Sequence, residues 1–135
     1  MVKYLQLFKE FLDSKSIKYE VIDEVSMIIK NRGDKWTDGR FLLTFDSKDR
    51  PEVGILGGYI TTYNAEKRDA GIKICNSLNA QYRWVKFYVD DSNNVVCEID
   101  AIFEETNLAT ILTLLIKMIN IIDQSYPELM KLAWQ

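Results

Sequence analysis

Residues 76–122 constrain this chain most: a helix end, a tight hairpin, and then a long run that is apolar on nearly every side of a helix. Residues 82–90 and 95–103 alternate as two strands, joined by Asp91, Ser92, Asn93 and Asn94, residue types that hydrogen-bond their own backbone and tolerate left-handed conformations. Period two puts Val85, Phe87 and Val89 on one side of the first strand and Val95, Cys97 and Ile99 on one side of the second. The following helix, expected over residues 108–122, carries only Thr110, Thr113, Lys117 and Asn120 as polar positions. At 100° per residue these four span about 80° of the circumference. One apolar side suits a sheet and another calls for a partner, so Leu108, Ile111, Leu112, Leu115, Ile116, Ile119 and Ile122 are the expected interface residues.

The rest of the chain supplies what that unit packs against. Residues 2–14 place Tyr4, Leu5, Phe8, Phe11 and Leu12 at helical spacing, with Lys3, Gln6, Lys9, Glu10 and Asp13 opposite. Strands are predicted over 17–21, 25–29, 41–45 and 53–56, with a polar loop over 31–39 and a turn over 46–51. Gly57 and Gly58 are expected to end the fourth strand, because paired glycines weaken a ladder. A second helix starts near Asn64, a candidate N-cap, and runs to Asn79, with Gly71 allowing close packing. Thr106 is the expected N-cap of the last helix, and residues 123–126 its end, with Pro127 opening a short tail. The pattern is that of one α+β domain over 1–135, an antiparallel sheet packed with helices in the order α-β-β-β-(β)-α-β-β-α.

Chemistry is constrained mainly by exclusion. The chain has no histidine, which removes the usual neutral-pH base, the usual partner of a nucleophile and the commonest zinc ligand. Cys75 and Cys97 lack CxxC spacing and fall in phase with apolar neighbours, so they read as core thiols. The acid pairs Asp90-Asp91 and Glu104-Glu105 could do acid–base work or hold a hard metal, but adjacent strand residues point to opposite faces, and the stretch from Asp90 to Asn94 lacks the glycine and distal glutamate of a calcium loop. Gly54, Gly57 and Gly58 form no phosphate-binding pattern, and Arg32-Gly33-Asp34 is a three-letter match read as loop. No metal, cofactor or enzymatic activity is expected. A net charge of −3 argues against a duplex nucleic-acid binder. One local candidate stands apart: Arg83, Trp84, Lys86 and Tyr88 interleave aromatic and basic groups as a ligand or single-stranded nucleic-acid face would, with Trp84, Lys86 and Tyr88 on one side. Packing against the neighbouring Glu98 and Asp100 is the competing use of those side chains. No signal-peptide pattern is present, and the apolar run ending at Lys117 is shorter than a bilayer span, so a cytoplasmic protein with no membrane partner is expected.

Cys75, Asn76, Asn79, Tyr82, Trp84, Lys86, Asp90, Asp91, Val95 and Glu98, with the Tyr126-Pro127 pair after a long helix, resemble the bacterial YbjN family. The resemblance covers residues 72–127, while the N-terminal half agrees in element order. Asn93-Asn94 stands where the family's turn carries an acid and a glycine. The resemblance implies a fold similar to type III secretion chaperones, often paired as a homodimer, and a sensory-transduction or stress regulator without established enzyme activity. The expected function is a non-enzymatic protein- or peptide-binding module, homodimeric, working through helix grooves or a sheet edge.

Overall fold

The computed structural model describes residues 1–104 and 107–135. Helix α1 (Lys3–Ser14) buries Leu5, Phe8 and Leu12 and turns its charged side to water, where Gln6 donates to Glu10 at 3.0 Å and Lys9 pairs with Asp13 at 3.4 Å. Its end is a Schellman turn: Ile17 N–H donates to Leu12 C=O at 3.0 Å and Ser16 N–H to Asp13 C=O at 3.1 Å, with Ser16 left-handed at φ 57°. Ser16 and Ile17 are thereby committed to capping α1, and strand β1 shrinks to Glu20–Val21 rather than the predicted 17–21.

Strands β2 (Ser26–Asn31), β3 (Gly39–Phe45) and β4 (Glu52–Thr62) follow as an antiparallel meander. Gly57 and Gly58 do not end β4. Gly57 faces the helix layer, where a Cβ would lie 2.8 Å from Ile122 Cδ1, and Gly58 takes φ +63° at a register shift between Leu56 and Tyr59. The pair is a bulge inside an eleven-residue strand, placed where a helix presses on the ladder. A 3-10 turn at Ala65–Lys67 leads into α2 (Arg68–Gln81), which runs two residues past the predicted end; Asn64 makes no side-chain cap. Gly71 does pack closely, its Cα facing the Tyr63 ring.

The hairpin forms β5 (Lys86–Val89) and β6 (Asn94–Ile102). Its first strand is half the predicted length because Trp84, at φ 80°, bends the chain before the ladder begins. Asp90 holds the turn, its Oδ1 accepting from Ser92 N–H at 3.0 Å and Asn94 N–H at 2.9 Å. These amides hold the Asp90 carboxyl below its usual range. From α2, Arg68 donates to Asp90 C=O at 2.6 Å and Asn93 Oδ1 at 2.9 Å, which supports Asn93 at φ 66° without a glycine.

Helix α3 (Leu108–Ala133) does not stop at 122 but continues through Pro127. A proline inside a helix costs about 3 kcal/mol, since it removes the bond to the carbonyl four residues back. Burying Leu129 completely returns about 2–3 kcal/mol, and half-buried Leu132 adds to it. Tyr63 O–H also donates to Leu129 C=O at 2.8 Å, and burial pushes that phenol up to about 12. The predicted N-cap Thr106, and Glu105 of the second acid pair, lie outside the described residues. As a 26-residue element α3 is long and apolar enough to cross a bilayer by length and composition, unlike the shorter run read from the sequence. In this fold its buried stripe lies against the sheet.

The sheet order is β1-β2-β3-β4-β6-β5, all antiparallel. Leu43, Ile55, Ile99, Cys97 and Phe87 share one face by register, and this is the face the helices cover. Phe8 of α1 meets Phe45 and Phe103, Gly57 of β4 meets Met118 and Ile122 of α3, and α2 lies along β5. All three helices therefore lie on one side of the sheet. Among the described residues the opposite face carries no helix.

Candidate binding surface

Three surfaces were expected to carry function: the apolar side of α3, the sheet edges, and the Arg83–Tyr88 group. On α3, Ile111, Leu115, Ile119 and Ile122 are buried against the sheet within a single chain, so these four belong to the core and offer nothing to a partner. Leu108 and Leu112 are half-buried on its flank, and Ile116 is the exposed member at 49%. The stripe of Thr110, Thr113, Lys117 and Asn120 faces water. Helical periodicity counts apolar positions correctly, but it does not say whether an apolar arc meets the chain's own sheet or a partner.

The sheet edges are short or occupied. At one edge β1 offers two residues. At the other, Asn79 of α2 bridges the outward peptide groups of Phe87: Phe87 N–H donates to Asn79 Oδ1 at 2.7 Å, and Asn79 Nδ2 donates to Phe87 C=O at 3.0 Å. One carboxamide thus stands where a neighbouring strand's peptide would pair, and the edge is blunted against strand addition. The sequence gives no local sign of this bridge, although Asn79 is among the residues that carry the family resemblance.

The Arg83–Tyr88 group is only partly assembled. Lys86 and Tyr88 share the outer face of β5, but Trp84 lies outside the strand, 60% exposed on its bend, so the three do not form one stacking platform. Lys86 is paired with Glu98 at 2.9 Å, and Tyr88 O–H donates to the same carboxylate at 3.2 Å. That carboxylate holds the Lys86 ammonium above its usual range; burial, then Glu98, raises the Tyr88 phenol. Arg83 is exposed beside Trp84 in the same bend.

What remains is the helix-free face of the sheet. Register aligns Ile28, Leu42, Leu56, Glu98 and Lys86 in one row across β2, β3, β4, β6 and β5. Ile28, Leu42 and Leu56 are half-buried on this face, Ile28 beside Lys18 and Tyr19 ahead of β1. Toward one end Lys30 and Arg40 stand directly opposite each other and line a concavity of about 350 Å³ with Arg32 and Thr37. Toward the other, Glu52, Asp100, Thr44 and Ile102 line one of about 720 Å³ over the bare backbone of Gly54.

The loop between β2 and β3 is fixed by a residue that sequence reasoning assigned only to a helix end. Asp123 of α3 accepts from Lys35 N–H at 2.7 Å and Trp36 N–H at 2.8 Å, and a side chain at Gly33 would collide with it. The Trp36 amide first, with those of Lys35 and Asp34, holds the Asp123 carboxyl below its usual range. Trp36 itself is buried edge-on to Phe41 at 5.5 Å. The Arg32-Gly33-Asp34 tripeptide is thus part of a tethered loop.

Neither cysteine is placed for chemistry. Both are free and buried, and burial pushes the Cys75 thiol up to about 11 and Cys97 higher still. Among the described residues no three His, Cys, Asp or Glu side chains come together as a metal site.

Residues 5–130 match the family described as "Putative bacterial sensory transduction regulator", YbjN. The chain belongs to the YbjN family. A crystal structure described as "YbjN, a putative transcription regulator from E. coli" superposes with a TM-score of 0.62 at 12% identity, over 95% of this chain and 93% of that one. At that identity the likeness carries the α+β fold. No match is found among curated proteins. Asn79, Lys86 and Glu98, on which the family resemblance rests, are the residues that close the β5 edge and tie the hairpin together.

Proposed function

We propose that this YbjN-family chain is a non-enzymatic regulatory module that holds a protein partner on the helix-free face of its sheet. One observation carries the reading: all three helices cover the same side, and among the described residues no helix covers the half-buried apolar row Ile28, Leu42 and Leu56 on the other side. The family description as a regulator supports the coarser part. A homodimeric, cytoplasmic and cofactor-free state belongs to the same proposal. Compared with the expected modes, the site moves from the helix grooves and sheet edge to the sheet face, because α3 is largely spent on the core and Asn79 blunts the edge.

The test is site-specific photo-crosslinking in the native host, with the reactive side chain at Leu42 and, as a control, at Thr113 on the water-facing side of α3. Discrete protein adducts from Leu42 and none from Thr113 are expected. Equal yields at the two positions, or adducts only from Thr113, would overturn the assignment.

A further inference from the structure

At one end of the helix-free face, cations gather without partners. Lys30 and Arg40 stand directly opposite each other on β2 and β3, and like charges so placed destabilise a strand pair unless something neutralises them. Arg32 joins them around the concavity of about 350 Å³, and Lys30 also lines a second one of about 300 Å³ with Lys18 and Ile28. Two carboxylates share these hollows, Asp38 the first and Glu20 the second. Among the described residues neither forms an ion pair with any of the four cations, whereas Lys86 and Glu98 across the sheet are already paired with each other.

The backbone that presents these cations is fixed. Lys30 and Arg40 sit in the β2–β3 ladder, and the loop that carries Arg32 is tethered by Asp123 through the Lys35 and Trp36 amides, so a ligand there has little main chain to order. Two residues further along the strands, a spacing of about 6.6 Å, lies the aliphatic row of Ile28, Leu42 and Leu56. A carboxylate side chain suits the cations, because the Arg40 guanidinium can grip it with two parallel N–H groups while Lys30 supplies a further donor. An aliphatic side chain about 6–7 Å from that carboxylate covers the row, and a protein segment gives this separation between residues two apart in a strand or four apart in a helix. A nucleic-acid strand fits less well: the row beside the cations is aliphatic rather than an aromatic stacking platform, and Glu52 and Asp100 at the far end of the face repel a phosphate chain.

We infer that the protein partner docks on this face through a segment that pairs glutamate or aspartate with aliphatic residues, its carboxylates on Lys30 and Arg40 and its aliphatic side chains on Ile28, Leu42 and Leu56. This rests on the binding-face reading above and supplies the chemistry of the partner. Lys18 and Arg32 flank the contact and extend the same charge preference to neighbouring positions of the segment. Because the cations are exposed, binding is salt-sensitive, with screening shortening from about 10 Å at 0.1 M salt to about 4 Å at 0.5 M.

Fluorescence anisotropy on the full chain tests it with three labelled probes: a glutamate-rich peptide with interspersed leucines, the same peptide with lysine for glutamate, and an oligothymidine. The acidic peptide should bind, and its affinity should fall about tenfold over that range of sodium chloride. Lys30→Gln/Arg40→Gln should weaken it at least about tenfold, whereas Lys73→Gln on α2, on the helix side, should leave it unchanged. Should the double variant fail to fold by circular dichroism, amide shifts of the wild-type chain give the same answer: those of Lys30, Arg40, Leu42 and Leu56 should move on adding the acidic peptide, and those of α2 should not. No binding at millimolar acidic peptide, equal or tighter binding of the lysine peptide or the oligothymidine, or shift changes confined to the helix side would overturn the inference. Leu42 adducts in the host that persist undiminished in Lys30→Gln/Arg40→Gln would also overturn it, while leaving the binding-face reading standing with a partner of other chemistry.

Discussion

Replacing Asn79 tests whether a single side chain closes the β5 edge. In Asn79→Ala two hydrogen bonds of 2.7 and 3.0 Å disappear, and Phe87 is left with a main-chain donor and acceptor pointing out of the sheet. Each bond contributes about 0.5–1.5 kcal/mol net, and partial exposure lets water replace some of it, so a loss of about 1–3 kcal/mol is expected in urea unfolding. Asn79→Asp separates the two bonds. Its carboxylate can still accept from Phe87 N–H but repels Phe87 C=O, whereas the neutral acid can donate to that carbonyl. The fold thus favours the protonated form and raises the introduced carboxyl above its unfolded value near 3.9. Stability gained this way is complete below that unfolded value and lost as pH rises through the folded one. Asn79→Asp should therefore approach wild type near pH 3 and fall away from it by pH 7. Amide exchange supplies the local readout: Phe87 N–H should be protected in wild type despite its edge strand and exposed in Asn79→Ala. A loss under 0.5 kcal/mol, together with unchanged Phe87 exchange, would refute the bridging role.

The same logic applies to Asp123, whose carboxylate tethers the β2–β3 loop. Its folded pKa is depressed, so its contribution is present above the unfolded value and lost as pH falls through the folded one; Asp123→Ala should cost about 1–3 kcal/mol at pH 7, with the gap to wild type closing in acid. Gly71→Ala would gain about 1 kcal/mol of helix propensity, but its Cβ would lie 2.6 Å from the Tyr63 ring, which cannot swing away while its O–H holds Leu129 C=O. A net loss of about 1–2 kcal/mol by thermal or urea unfolding is expected, and a stabilised variant would show that Tyr63 can move.

Much of the fold was legible because local pattern and tertiary role coincide. Alternation placed β2, β3 and the hairpin within a few residues, and helical spacing found α1 with its buried Leu5, Phe8 and Leu12. The misplaced boundaries share a cause. Gly57-Gly58 and Pro127 break isolated elements, yet here each sits where packing repays the break, under Ile122 and beside Leu129. Of the candidate sites, the Lys86 and Tyr88 face was readable from period two, but not the left-handed Trp84 that leaves it.

Sequence alone determined the element types, the two-faced strands, the absence of histidine chemistry and the family. Tertiary structure decided which face of the sheet the helices take. Alternation says that each strand has two sides without saying which one a distant helix will cover, and a one-sided stack of α1, α2 and α3 leaves Ile28, Leu42 and Leu56 half-buried on the other side. Only the folded chain could also join Asp123 to Trp36, 87 residues apart, because the interaction depends on where two elements meet and leaves no periodic trace in either.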